Sequence, residues 1–279
     1  MMLPTYTATR YVVPLREGGS LPAVLEAENG DLFVAKFRGA GQGAKALLAE
    51  LIVGLLARRL GLPVPEVALL YLDAAFGRTE RDPEIQDILR GSRGLNVGLR
   101  YLESAFPYDP VAVPDLVSPD LAADVVWLDA FTTNIDRTPR NPNLLVWNRR
   151  LWLIDHGAAL YFHHNWDGMD ATRIQNPFAP IADHVLLPAA GDLRAADGRL
   201  TGALDAGVLR EILALLPEEL LMDAPEGTAP PFPTAEANRA AYLEVLTGRL
   251  TGPRAFLDTA LAAQQRLRDR PGEPLSYRR

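Results

Sequence analysis

The chain of 279 residues has no cysteine, which excludes disulfides, zinc–thiolate centres and thiol nucleophiles together. Histidine is scarce as well, with only four. The one grouping, His163-His164 with Asp167, is a poor metal cluster because adjacent histidines point in different directions on most backbones. There is no excess of basic charge: the net charge of −7 makes the molecule as a whole repel nucleic-acid phosphate and anionic lipid. Neither direct nucleic-acid binding nor a membrane partner is expected. A long apolar run is also lacking, since the strongest one, Leu47 to Leu62, is interrupted by Glu50, Arg58 and Arg59 and falls short of a membrane span. Met1 to Pro14 shows neither a basic leader nor a long apolar core, so no signal peptide is read there. No repeat of solenoid period is visible. These absences together fit a cytoplasmic protein.

What is present is the composition of a folding chain, 48% hydrophobic and 23% charged, with 22 glycines and 23 prolines that imply many turns. Tyr11 to Phe37 reads as strands, because two apolar runs flank Glu28-Asn29-Gly30-Asp31 and Asn-Gly is a strong hairpin signal. Apolar residues at 47, 48, 51, 52, 55, 56 and 60 follow helical spacing, closed by Gly61 and Pro63. Pro65 to Leu72 returns to strand, and a loop-rich stretch follows from Arg90 to Tyr101. Beyond it helices prevail: one from the cap Ser118-Pro119-Asp120 through Phe131, and others near 204–216, 235–249 and 253–268. The expected fold is α+β and two-lobed, with a small antiparallel-sheet lobe over 1–98 and a larger, mostly helical lobe over 99–279. The last ten residues read as frayed.

Three pieces stand in a fixed order: Val34-Ala35-Lys36 ending a strand, Glu50 in the next helix, and then Asp136-Arg137, Asn143 and Ile154-Asp155-His156-Gly157 around a hairpin from Leu144 to Leu153. Phosphoryl transfer needs those residue types in that order. A strand lysine binds nucleotide phosphates and a helix glutamate holds it. A loop aspartate takes the proton of the attacking hydroxyl, and an asparagine and a second aspartate ligate Mg²⁺. Each residue also has a plainer reading. Lys36 alone would be a solvated strand residue. Glu50 lies off the apolar stripe, on a face shared with Gly54 and Ala57, and would be either a surface charge or the partner of Lys36. Asp136 and Asp155 are also good turn residues. Gly39 to Ala46 imitates a P-loop but has Ala44 and Ala46 where that motif needs glycine and a hydroxyl; it reads as a mobile strand-to-helix loop.

The string Asp136-Arg137, Asn143, Ile154-Asp155-His156-Gly157 resembles the HipA-like kinases and, more distantly, the catalytic regions of phosphatidylinositol kinases. The junction Arg58-Arg59-Leu60-Gly61-Leu62-Pro63-Val64-Pro65 resembles the helix-to-strand junction of HipA-like proteins, and the likeness spans roughly residues 10–165. It implies a protein-kinase-like fold with ATP and Mg²⁺ as cofactors. Asp136 would be catalytic, Lys36 and Glu50 would serve the nucleotide, and Asp155 with an asparagine would hold the metal. It also gives Gly18, Gly19 and Ser20 a role over the phosphates, although they serve equally as a plain turn. The family's spacing of five residues after the aspartate selects Asn141, whereas attachment to the strand that follows favours Asn143. An extended backbone there would keep both side chains from facing one site. His156 stands where the phosphatidylinositol kinases carry phenylalanine. The start of the chain directly at the sheet leaves no room for the extra N-terminal subdomain of HipA toxins, so an antitoxin-type partner is not expected. The implied function is transfer of phosphate from ATP to a hydroxyl acceptor, a protein Ser/Thr ahead of a lipid or small molecule. The competing reading is a non-catalytic nucleotide-binding regulatory module.

Overall fold

The Asn29-Gly30 turn forms as its residues require, with Gly30 at φ 82° between β2 (Ala23–Ala27) and β3 (Leu32–Lys36). The structure is a computed structural model that describes residues 2–15, 21–41, 43–78, 80–224 and 227–269. Gly18, Gly19 and Ser20 lie outside the described residues.

β1 (Thr5–Pro14) pairs with β2, and β3 with β5 (Gly94–Arg100), which pairs with β4 (Val67–Leu72). The sheet then closes into a barrel in the order β1-β2-β3-β5-β4. Four of its junctions are antiparallel, but Thr5–Thr7 of β1 run parallel to Leu69–Tyr71 of β4. This corrects the expectation of a wholly antiparallel sheet. In a ring with an odd number of strands that alternate in direction, one neighbouring pair must be parallel. Small residues, Ala8, Ala23, Ala27, Ala35 and Ala68, leave room inside for Phe33 and Leu70. A second correction concerns Arg90 to Tyr101, expected as loop and found to contain β5, so the expected lobe boundary at 98 falls inside a strand. The reason is packing: a Cβ on Gly98 would meet Leu70 Cδ1 at 2.7 Å and Phe33 Cβ at 3.2 Å, so a residue of low strand propensity is the one that fits.

Residues pointing out of the barrel from β4 and β5, Val67, Leu69, Val97 and Leu99, join the main core, in which α1 (Ala44–Arg59) is buried on every side. α2 (Pro83–Gly91), capped by Asp82, adds Ile85 and Leu89 to the barrel core. The second half is built around α3 (Pro119–Phe131), where Ser118 Oγ accepts from Leu121 N–H at 3.2 Å as the sequence leads one to expect. α5 (Leu193–Gly202) and α9 (Ala255–Asp269) pack on α3, while α6 (Ala206–Leu213) and α7 (Glu218–Leu221) pack on α1 and on α8 (Ala235–Thr251), and α4 (Ala171–Ile174) packs on α8. Buried Arg249 of α8 donates to the Ala130 and Phe131 carbonyls, each at 2.8 Å, and so satisfies the carboxyl end of α3. β6 (Phe106–Pro107), β7 (Leu144–Trp147) and β8 (Arg150–Leu153) form a second small sheet. Asn148 (φ 49°) and Arg149 (φ 59°) turn its hairpin, both in the left-handed region. Among the described residues no helix is long and apolar enough to cross a membrane.

Candidate active site

Lys36 ends β3 with its ammonium drawn out of water, 7% exposed, and it needs counter-charge. α1 supplies Glu50, 0% exposed, with Oε2 3.2 Å from Lys36 Nζ. The face shared with Gly54 and Ala57 is not a solvent face. A Cβ on Gly54 would meet Val67 Cγ2 at 3.0 Å, so that side of the helix is pressed onto β4. Glu50 Oε2 also accepts the His156 backbone N–H at 2.8 Å, which ties α1 to the segment after β8. Asp155 ion-pairs with the same lysine through Oδ1. Burial works to lower the Lys36 pKa, but Glu50 and Asp155 outweigh it and leave it above its ordinary value. Asp155, although burial raises it, is held below the usual carboxylate range by Lys36. Burial dominates at Glu50 and holds its pKa up.

The loop between α3 and β7 carries Asp136. Its carboxylate is gripped at Oδ2 by two amides, Asn141 Nδ2 at 2.7 Å and Asn143 Nδ2 at 3.1 Å. The expectation that only one of these asparagines faces the site is therefore corrected. Asn143 sits at φ 50°, so the backbone is not extended there and both side chains turn to the same carboxylate. Each amide spends its N–H on Asp136, which leaves both carbonyl oxygens for a cation. Burial raises the Asp136 pKa; Asn143 pulls it down, Asp155 pushes it up, and Asn141 pulls it down again, with the net above the ordinary value.

Beneath the two loops is a polar network that sequence reasoning missed. Buried Asp129 of α3 accepts from Arg137 Nε at 2.5 Å, from Asn134 Nδ2 at 3.0 Å, and faces His184 Nε2 at 2.9 Å. Arg137 then donates through Nη1 to the carbonyls of Asn143 at 2.5 Å and Ile154 at 3.3 Å, and its Nη2 lies 3.2 Å from His156 Nδ1. One guanidinium thus holds the residue before β7 and the residue after β8, and Asp155 follows the latter at φ 54°. The available signal was a charge inside an apolar helix, Asp129 after Val125-Val126-Trp127-Leu128, because such a charge must have a partner. His156 is kept neutral, its pKa lowered to about 3 by burial and by Arg137.

Among the described residues no three His, Cys, Asp or Glu side chains gather as a metal cluster. His163 and His164 stand nearly perpendicular, at 83°, with His163 Nδ1 2.9 Å from Tyr242 Oη. The Asp155 carboxylate and the side-chain oxygens of Asn141 and Asn143 are of the hard type that could hold a divalent cation such as Mg²⁺.

Residues 10–231 match the family described as HipA-like kinase. Among solved structures, the chain resembles the Helicobacter pylori proinflammatory kinase CtkA with a TM-score of 0.51 at 12% identity, over 95% of this chain and 99% of that one. It also resembles a Golgi casein kinase with a TM-score of 0.43 at 14% identity, over 92% of this chain and 72% of that one. No curated protein matches it in sequence. The likeness to CtkA bears on the fold, which is of the α+β kinase-like type.

Proposed function

Because the chain belongs to the HipA-like kinase family, we propose that it is an ATP- and Mg²⁺-dependent phosphotransferase acting in the cytoplasm on a Ser/Thr hydroxyl of a protein. The supporting observation is that Lys36, Glu50, Asp155 and Asp136 with its two asparagines come from four separate stretches of chain, the first three joined by ion pairs and the Asp136 loop tied to the residue before Asp155 through Arg137. Lys36 holds phosphate oxygens, and Glu50 keeps it aimed. Asp155 with the carbonyl of Asn143 or Asn141 would hold the cation, which when bound neutralises charge on the phosphates. Asp136 accepts the hydroxyl proton, oriented for it by the amides of Asn141 and Asn143. The lobes of this kinase meet just past β5, slightly beyond residue 98. A non-catalytic nucleotide-binding module would keep Lys36 and Asp155 but has no use for an Asp136 so carefully oriented.

The test is transfer of labelled phosphate from ATP to cell-extract proteins, with nucleotide binding measured alongside. Asp136→Asn is expected to keep nucleotide affinity and to lose about 10²- to 10⁴-fold in transfer. Asp155→Asn is expected to weaken both transfer and Mg²⁺-dependent nucleotide binding. Wild type that transfers nothing and matches Asp136→Asn in every assay would refute the enzyme and leave the binding module.

A further inference from the structure

A cavity of about 450 Å³ opens between the amino end of α1 and helices α7 and α8, and neither Lys36, Asp136 nor Asp155 lines it. Small-molecule sites run from roughly 300 to 1,000 Å³. The residue before α1 is Gly43, which supplies no side-chain cap, and the first turn holds no acidic residue. Among the described residues no side chain caps the helix's first N–H groups or the positive end of its dipole. Lys45 stands in that first turn, where the dipole opposes a cation. Among the described residues it makes no ion pair; its hydrogen bond goes to the His164 carbonyl at 3.4 Å. Burial lowers its pKa. Arg38, the other cation on the wall, is already engaged by Glu219 at 2.7 Å and Asp223 at 3.8 Å.

A second, independent feature comes from α8. Asn238, 3% exposed, lines the same cavity and donates Nδ2 to the Leu221 carbonyl at 2.7 Å, which leaves its buried Oδ1 with no partner. An acceptor in that state costs free energy until a donor reaches it. The rest of the wall is Asp223, whose charge faces Arg38, and apolar and aromatic side chains that include Leu48, Trp166 and Tyr242, the last two with ring centroids 5.1 Å apart and planes nearly perpendicular.

The geometry points to a second ligand site, for a small phosphomonoester with an aromatic body that carries a hydrogen-bond donor. The phosphate lies against Lys45 and the first turn of α1, the ring against Trp166 and Tyr242, and the donor on Asn238 Oδ1. Phosphate suits the helix end better than a carboxylate, because several N–H groups and an ammonium converge there and it offers three charged oxygens to them. Inorganic phosphate alone would leave most of the cavity unfilled. Lys45 lies five residues before Glu50 on the same helix, so the site is placed to bear on the Lys36–Glu50 pair.

The probe is 4-aminophenyl phosphate, titrated calorimetrically into the full chain without nucleotide or divalent cation. One saturable site is expected, weakened about tenfold or more in Lys45→Gln, which removes a charge-assisted bond, and restored in Lys45→Arg. Saturating ATP with Mg²⁺ is expected to leave the probe in place. The assay measures no phosphoryl transfer, so this site and the kinase reading can fail separately. Absence of saturable binding, indifference to the charge at position 45, or one-for-one displacement by ATP would overturn the proposal.

Discussion

Asp136 holds its charge by virtue of two amides, and that arrangement can be tested by titration. Burial raises its pKa, while hydrogen bonds from Asn143 and Asn141 stabilise the ionised form. A base must be ionised to take a proton, so transfer is expected to fall as the pH drops through the Asp136 pKa, which lies above the ordinary aspartate value. Asn143→Ala and Asn141→Ala each remove a donor to the charged form. Both should move that acid limb to higher pH, Asn143→Ala the further. pH–rate profiles in which neither alanine shifts the limb would show that the asparagines do not set this charge. At the residue scale the sequence was legible where a buried charge needs a partner: the pairing of Lys36 with Glu50 was expected and is found. It was illegible where a side chain's direction depends on a single torsion. Whether Asn141 or Asn143 faces the site turned on the left-handed φ of Asn143, and asparagine adopts that conformation readily without announcing it.

At the scale of elements, β5 shows what propensity hides. Gly94 and Gly98 make Gly94–Arg100 read as loop, yet the strand pairs on both sides, with β3 and with β4. Its glycine is a space requirement, since Leu70 occupies the volume a side chain would need. Gly98→Ala should therefore destabilise the protein by about 1–3 kcal/mol, the usual penalty of overpacking, despite alanine's smaller backbone entropy cost. A thermal melt would check it, and an unchanged or higher melting temperature would refute the close packing at this point. The helices were easier to read. α3 announced itself by Ser118-Pro119-Asp120, and α8 and α9 by spacing that matches their observed spans closely. α5 escaped because Leu193–Gly202 mixes Arg, Asp, Gly and Thr with few apolar residues, and packing against α3 makes it a helix where local pattern does not.

For the whole molecule, burial has taken three of the four histidines out of water. His156, His163 and His184 all have pKa values pushed down by burial first of all. A histidine whose folded pKa lies below its unfolded value of about 6.5 contributes stability above that pH and withdraws it as the pH falls. Denaturant midpoints should therefore drop between pH 7 and pH 5, before most carboxylates titrate. In His156→Phe, which removes a group with a folded pKa of about 3, the drop should be smaller; an identical pH slope would refute the linkage. The closure of the five strands into a ring has a further consequence, for company rather than for chemistry. β1 and β4 pair over Thr5–Thr7 and Leu69–Tyr71 and so close the ring, and along that seam neither strand is free for a partner's strand or for a second copy. The smaller sheet has edges, but one of its outer strands is only the two residues Phe106–Pro107. Along the β1–β4 seam strand addition is closed to a peptide, which would have to be met there by side chains, loops or helices.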